Sequence, residues 1–213
     1  LNSSAWLTQK PGLHVSFATT DQLFMRSEVP TVMETLNWEE TGWRGERLNT
    51  QVLVWAPDTL EQVRFVINNL QNEKGKFLDK KNIKLNLIRY VVSNYPYGAK
   101  EATCGASPYK GLFLMPDRFE PFERFQIPGK TIRPVWLSID IPADAEPGAY
   151  TGTIEVKSTK GSALLKVKIN VQNQLLPKPY DWKHRLDLWQ NPWVVAWYYH
   201  LESWSEEHKA LLK

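Results

Sequence analysis

The sequence predicts a mostly β fold, a sandwich of antiparallel sheets, with a short αβ tail behind it. Three observations carry this reading: alternation of apolar and polar residues through residues 133–171, turn residues between the alternating runs, and a change of composition after Val171. In the first run Val135, Leu137, Ile139 and Ile141 alternate with Trp136, Ser138 and Asp140, the period of a strand with one buried face. Pro142 ends the run because proline offers no ladder donor, and Pro147-Gly148 turns the chain. Tyr150, Gly152, Ile154 and Val156 then share one face. After a turn at Lys160-Gly161-Ser162, so do Leu165, Val167, Ile169 and Val171. Three such strands in succession predict an antiparallel meander with one wet face. The N-terminal part is expected to supply the sheet that covers its dry face.

Within that part, residues 13–19 read as a strand, and residues 23–29 continue the same edge up to Pro30. Residues 32–43 are ambiguous between a short helical turn and a loop. Residues 50–55 form a strand stopped at Pro57, residues 60–70 alternate through Val63, Phe65 and Ile67, and a further strand runs from 83 to about 92. Residues 71–81 are polar and charged, a solvated loop or hairpin tip. Between 93 and 125, proline and glycine recur too often for long elements. The stretch reads as a long aromatic-rich excursion, and such loops often carry function. Residues 174–179 (Gln-Leu-Leu-Pro-Lys-Pro) read as a linker, residues 181–189 as another strand, and residues 194–201 are strongly aromatic. Ser203-Trp204-Ser205-Glu206 spells a capping box, with Ser203 as the cap of a helix. About two helical turns are marginal alone, so the tail is read as the opening of a second domain.

Composition narrows the function. A chain of 213 residues suffices for one substantial core, or one domain plus a piece of another. Hydrophobic content of 42% and charged content of 23% are ordinary for a globular protein. A net charge of +3 with no Lys/Arg block argues against nucleic acid, and no apolar run is long enough for a transmembrane helix. Cys104 alone cannot form an internal disulfide. The chain starts at Leu1 rather than Met, which reads as a trimmed chain whose targeting segment has been removed. The 10 tryptophans do stand out, against roughly two or three expected at average usage.

Residues able to do chemistry read mostly as structural. Glu39-Glu40, Glu120 with Glu123, Asp140 with Asp144, and Glu206-Glu207 are close in sequence but fall in turns, on a wet strand face or in a first helical turn. General acid–base work needs a carboxyl in an apolar pocket instead. The four histidines, His14, His184, His200 and His208, lack metal-ligand spacing, so neither a metal nor a cofactor is expected. Serine-nucleophile and phosphate-loop motifs are absent. Residues 43–47 (Trp-Arg-Gly-Glu-Arg) read as a bulge at Gly45 with Glu46 paired across strands, in preference to a binding cluster. Trp55 and Trp136 sit within strands as packing residues. Tyr95, Tyr97 and Tyr109 either form a sugar platform or pack the long loop down.

Residues 43–55, 134–156 and 186–208 resemble the N-terminal region of bacterial proteins of glycoside hydrolase family 123, Bacteroidetes polysaccharide-utilisation members in particular. The turn motif P-x-D-A-x-P-G-x-Y-x-G at 142–152 is moderately specific, and the later Trp-Gln-Asn-Pro and Ser-Glu-Glu-His segments add to it. The resemblance implies an immunoglobulin-like sandwich over residues 1–176. Residues 177–213 would then be a linker and the first strand and helix of a truncated (β/α)8 barrel. It further implies action on terminal N-acetylgalactosamine through an adjacent Asp-Glu pair, with the substrate's acetamido group as nucleophile. No Asp is directly followed by Glu in this chain, so no catalytic residue is expected within it. On the barrel reading, Trp189, Gln190, Asn191 and Trp193 stand at the end of a barrel strand where substrate binds.

The resulting expectation is an immunoglobulin-like sandwich of roughly eight or nine strands with a short αβ tail. It would serve as a non-catalytic accessory domain that packs on and supports its own downstream barrel, in a protein exported to the periplasm or outer surface. Trp193, Trp197, Tyr198 and Tyr199 are too many aromatics for two helical turns to bury. Two other classes stay open: an independent carbohydrate-binding module, and a structural spacer of a surface protein.

Overall fold

A computed structural model describes residues 3–93, 112–184 and 191–212. The chain divides into two compact units, Leu1–Leu176 and Pro177–Lys213. The first opens with a short helix, α1 (Ser3–Leu7), and then holds the strands β1 (His14–Ala18), β2 (Asn37–Arg44), β3 (Arg47–Ala56), β4 (Leu60–Ile67), β5 (Leu70–Asn72) and β6 (Phe77–Leu78). These are followed by β7 (Ile83–Ser93), β8 (Phe113–Pro121), β9 (Phe125–Ile127), β10 (Thr131–Asp140), β11 (Gly148–Ser158) and β12 (Gly161–Leu175). One sheet runs β1-β3-β10-β7-β8. The other runs β2-β12-β11-β4-β9, with β5 paired to β11 and β6 to β5. The expected mostly β sandwich is therefore present, with more strands than the alternation alone predicts.

The three strands of residues 133–171 do not form a meander. β10 lies in the first sheet, while β11 and β12 are a hairpin in the second. Period two fixes which side chains turn inward, and both inner faces of a sandwich present the same pattern. The turn at 142–147 carries the chain from one sheet to the other. Nor is every pair antiparallel, since β2 runs parallel to β12, from Asn37 beside Lys166 to Arg44 beside Leu175.

Other expectations also fail for identifiable reasons. Residues 23–29 form turns instead of an edge. β2 occupies the stretch that read as a turn or loop, because Asn37 to Arg44 sit at an edge and bury little. β8 is nine residues long despite Pro116 and Pro121. It is an edge strand of its sheet, where a proline costs the ladder little, and its pairing with β7 shifts register at Arg89/Tyr90. β12 runs on to Leu175, into the expected linker. Gly45 is not a bulge. It has φ +82°, and the chain leaves β2 there for β3 in the opposite sheet. The Glu46 side chain accepts from the Trp43 amide at 2.7 Å, within the turn and not across strands.

The main core fills the space between the sheets, with Val52, Val54, Leu87, Val135, Leu137 and Ile139 meeting Val63, Ile154, Val156, Leu165, Val167 and Ile169. A second cluster, Trp6, Phe24, Leu53, Trp55 and Ile132, lies on the other face of the first sheet. α1 and the segment after β1 thus cover part of that face. This explains why residues 52–56 of β3 do not alternate: all five are buried, because the strand is covered on both sides. The polar ends of this second cluster are satisfied. Trp6 Nε1 donates to Ser27 O at 2.9 Å, Trp55 Nε1 to Gln9 Oε1 at 3.2 Å, and Tyr90 Oη to Phe24 O at 2.8 Å. Burial pushes the Tyr90 phenol well above its usual range.

The motif at 142–152 has a mechanical explanation. Ala145 N donates to Pro142 O, closing the first turn. Buried Tyr150 donates from its hydroxyl to Glu146 O at 2.8 Å, a link that braces the corner as in other sandwiches. A Cβ on Gly152 would stand 2.5 Å from Leu70 Cδ2 and 3.0 Å from Asn69 O, so only glycine lets β5 approach β11. Gly152→Ala is expected to cost about 1–3 kcal/mol by overpacking and Tyr150→Phe about 1 kcal/mol. Both losses are measurable as lowered urea midpoints at unchanged m-value.

Candidate functional site

The second unit carries the described part of the tail predicted to bind substrate. It contains α2 (Pro192–Tyr198) and α3 (Glu206–Leu211). Residues 182–184 form no strand. Asn191 caps α2, its side-chain oxygen accepting from Val194 N at 3.3 Å, and Pro192 occupies the first helical position, where its missing N–H costs nothing. The cap of α3 is Ser205, not Ser203: its hydroxyl accepts from His208 N at 3.2 Å. His208 replaces the expected glutamate of the capping box. Its Nδ1 accepts from Trp204 N at 2.8 Å, and its Nε2 lies 2.8 Å from Pro192 O. Because Nδ1 is an acceptor, Nε2 carries the proton and donates to Pro192 O. The fully buried imidazole therefore staples the start of α2 to the start of α3.

Around this staple the aromatic residues are exposed. Trp193 is 60% accessible and Trp197 76%, with Tyr198, Tyr199 and Trp204 also exposed. Trp193 meets Trp204 edge to face at 5.7 Å, and Tyr198 meets Tyr199 in the same manner at 5.1 Å. Of the predicted substrate-binding set, Asn191 is a helix cap and Trp193 lies on this aromatic surface. Trp189 and Gln190 fall outside the described residues, as do Tyr95, Tyr97 and Tyr109.

The carboxylates are arranged against acid catalysis. Asp140 accepts from Arg47 and pairs with Lys84 at 2.9 Å, and these bonds hold its carboxyl below the usual range. Glu120 is held down in the same way by Arg89 and then Arg118, and Glu39 by Lys168 and then Asn170. A general acid at neutral pH requires the opposite shift. Among the described residues no three His, Cys, Asp or Glu side chains gather closely enough to hold a metal ion. No described helix is long and apolar enough to cross a membrane.

The sequence reading missed one concavity. A groove of about 570 Å³ opens on the side of the sandwich, between the ends of β1 and β3 and the strand β2, with the segment 31–35 as its rim. Its lining includes Thr20, Gln22, Thr31, Asn37, Trp38 and Glu40. The available signal was local and weak: Thr31, Thr35 and Asn37 interleaved with Val32, Met33, Glu34 and Leu36 ahead of Trp38, a stretch whose alternation is too poor to show a strand.

The glycoside hydrolase 123 N-terminal domain family matches residues 17–158, two-thirds of the chain. The chain belongs to that family. Its fold is shared with a family 123 glycoside hydrolase from Clostridium perfringens, whose structure addresses glycolipid glycan hydrolysis. The two are 24% identical at a TM-score of 0.80, over 94% of this chain and 34% of that one. This family 123 N-terminal domain chain thus spans about a third of that relative's length. The sporulation control protein Spo0M from Bacillus subtilis aligns at 10% identity over 78% of this chain and 51% of its own, with a TM-score of 0.36, too low to carry an argument. No curated protein matches the chain.

Two predictions come from this geometry. A carboxylate with a lowered folded pKa adds stability that is complete above its unfolded value and is lost as pH falls through the folded one. The melting temperature is therefore expected to drop as pH falls below about 4, the ordinary carboxylate range. Asp140→Asn should cost about 0.5 kcal/mol at neutral pH, since its ion pairs are solvent-screened, and the difference from wild type should vanish at low pH in paired thermal melts. His208→Ala leaves the Trp204 amide and Pro192 carbonyl unpaired at a local cost of about 1–3 kcal/mol. Faster hydrogen exchange at Trp204 and His208 would register it, with the Val52 and Leu137 amides as internal reference.

Proposed function

We propose that this chain is the non-catalytic N-terminal accessory region of an exported family 123 glycoside hydrolase acting on N-acetylgalactosamine-type glycans. Its sandwich packs on and stiffens a downstream (β/α)8 barrel, with residues 177–213 as the linker and the barrel's first strand and helix. The observation that carries this reading is the exposed aromatic surface of the second unit, Trp193, Trp197 and Tyr198 on the seven-residue α2 and Tyr199 at its C-terminal cap, beside the six-residue α3. Helices so short are marginal without tertiary packing, and apolar surface of this kind is normally covered. The pairing of Asp140, Glu120 and Glu39 with cations agrees with chemistry located elsewhere, as does the absence of an Asp-Glu pair from the sequence.

The test compares this chain with a longer family 123 protein that contains it. The chain alone should not hydrolyse an aryl N-acetyl-β-galactosaminide, and the longer protein should. In the longer protein, Trp197→Ala should lower the melting temperature by several degrees, as about 1–2 kcal/mol does for a domain of this size. Hydrolysis by the chain alone would overturn the accessory assignment, and an unchanged melting temperature would overturn the packing role of the tail.

A further inference from the structure

We propose that the groove between β1, β2 and β3 is a binding site for a neutral sugar. Its walls are fixed in advance. Buried Gln51 donates from Nε2 to Thr19 O at 2.8 Å and Gln22 O at 2.9 Å, pinning the segment that forms one wall. Thr50 Oγ1 donates to Ala18 O at 3.1 Å beneath it. The opposite rim is tied to β1 twice, by Phe17 N to Thr35 O and by Thr35 N to Ser16 Oγ, each at 2.9 Å. Ordering costs are thereby removed before a ligand arrives.

The lining selects the ligand class. No lysine or arginine lines the groove, which disfavours phosphate, sulfate and carboxylate ligands. The side chains of Thr20, Gln22, Thr31 and Asn37 make no hydrogen bond with other described residues. Glu40 uses one oxygen on the Thr41 amide at 3.0 Å, and its other oxygen has no described partner. Two amides, two hydroxyls and a carboxylate oxygen supply donors and acceptors in the mixture that a ring of hydroxyls requires. Half-buried Trp38 and 91% exposed Met33 add apolar surface for the C–H face of the ring. The volume is within the range of small-molecule sites. The site needs neither the second unit nor a barrel, so it stands or falls separately from the accessory role proposed above.

The 213-residue chain, labelled with ¹⁵N, is titrated with N-acetylgalactosamine, galactose and glucose, and with glycerol as a polyol control. At least one sugar is expected to shift the side-chain amides of Asn37 and Gln22 and the Trp38 indole N–H, with a Kd of about 1 mM, the scale for so small a ligand. Asn37→Ala combined with Glu40→Gln, which keeps an acceptor for Thr41 N, should raise that Kd at least about tenfold. Lys166→Ala, on the far side of β2, should leave it unchanged, and matched thermal melts verify that both variants fold. The proposal is overturned if no sugar shifts these signals at ~50 mM, some fifty times the expected Kd, if glycerol shifts them equally, or if the double variant binds as wild type does.

Discussion

The sandwich depends on one corner, where the chain changes sheet twice. β2 leaves the second sheet at Gly45-Glu46 to become β3 of the first, and β10 leaves the first beyond Asp140 to become β11 of the second. A backbone that quits a sheet abandons its ladder partners, and buried amides and carbonyls do not go unpaired without cost. Here the two departing segments satisfy each other: Gly45 N donates to Ile141 O at 2.9 Å, and Ile141 N donates to Glu46 O at 2.8 Å. Gly45 must take a φ of +82° to make this possible, a conformation glycine adopts without strain. Arg47 and Lys84 close the corner from outside on Asp140. With the sheets joined there, the inward sides of β3 and β10 face those of β11 and β12, and the core has one arrangement.

How far this was legible in the sequence follows from what each signal measures. Val135, Leu137, Ile139, Ile154, Val156, Leu165, Val167 and Ile169 announce buried faces because a strand's period is two, and all are buried. The same period is silent about which of two facing sheets a strand joins, so β10 was placed beside β11 when it lies opposite. β2 escaped notice for a different reason. Its contact with β12 is made through the backbone, and Glu39, Glu40 and Thr41 stay exposed, leaving little apolar record. The sequence places the cap two residues early, at Ser203 instead of Ser205, because His208 does the work of a glutamate, accepting from Trp204 N through a ring nitrogen. The mostly β character, the family and the aromatic surface of the tail were readable. The groove was not, because it is assembled from three segments that meet only in the fold.

The excess of tryptophan has two physical origins. Trp6 and Trp55 are buried, each with its indole N–H donated to a nearby oxygen, and they build the second core on the outer face of the first sheet. Trp193 and Trp197 on α2 and Trp204 just before the cap of α3 are exposed, beside helices that bury little besides Ala196 and His208. The first group accounts for stability within the sandwich unit. The second has no such role there, and its exposed apolar area is the feature on which the proposed packing surface rests. The charged residues follow a comparable division. Lys84, Arg89 and Lys168 neutralise the carboxylates of Asp140, Glu120 and Glu39, so the described strand surfaces carry ion pairs that hold these three acids ionised.

The open side of the sandwich shows why recognition there would rest on side chains. β1 and β2 are edge strands, and unprotected edges invite another chain to pair with them. Both are blunted. The outward amide of Phe17 is taken by Thr35 O, and on β2 the amides of Thr41 and Trp43 are taken by the carboxylates of Glu40 and Glu46. These three outward donors are spoken for, which makes the edges poorer ladders for an incoming strand. Along the groove the side-chain amides of Gln22 and Asn37 and the hydroxyl of Thr31 have no partner among the described residues, and Trp38 shares the lining with them. Where edge donors are taken by the chain itself and neighbouring side chains are not, the side chains are the groups that an incoming molecule would meet first.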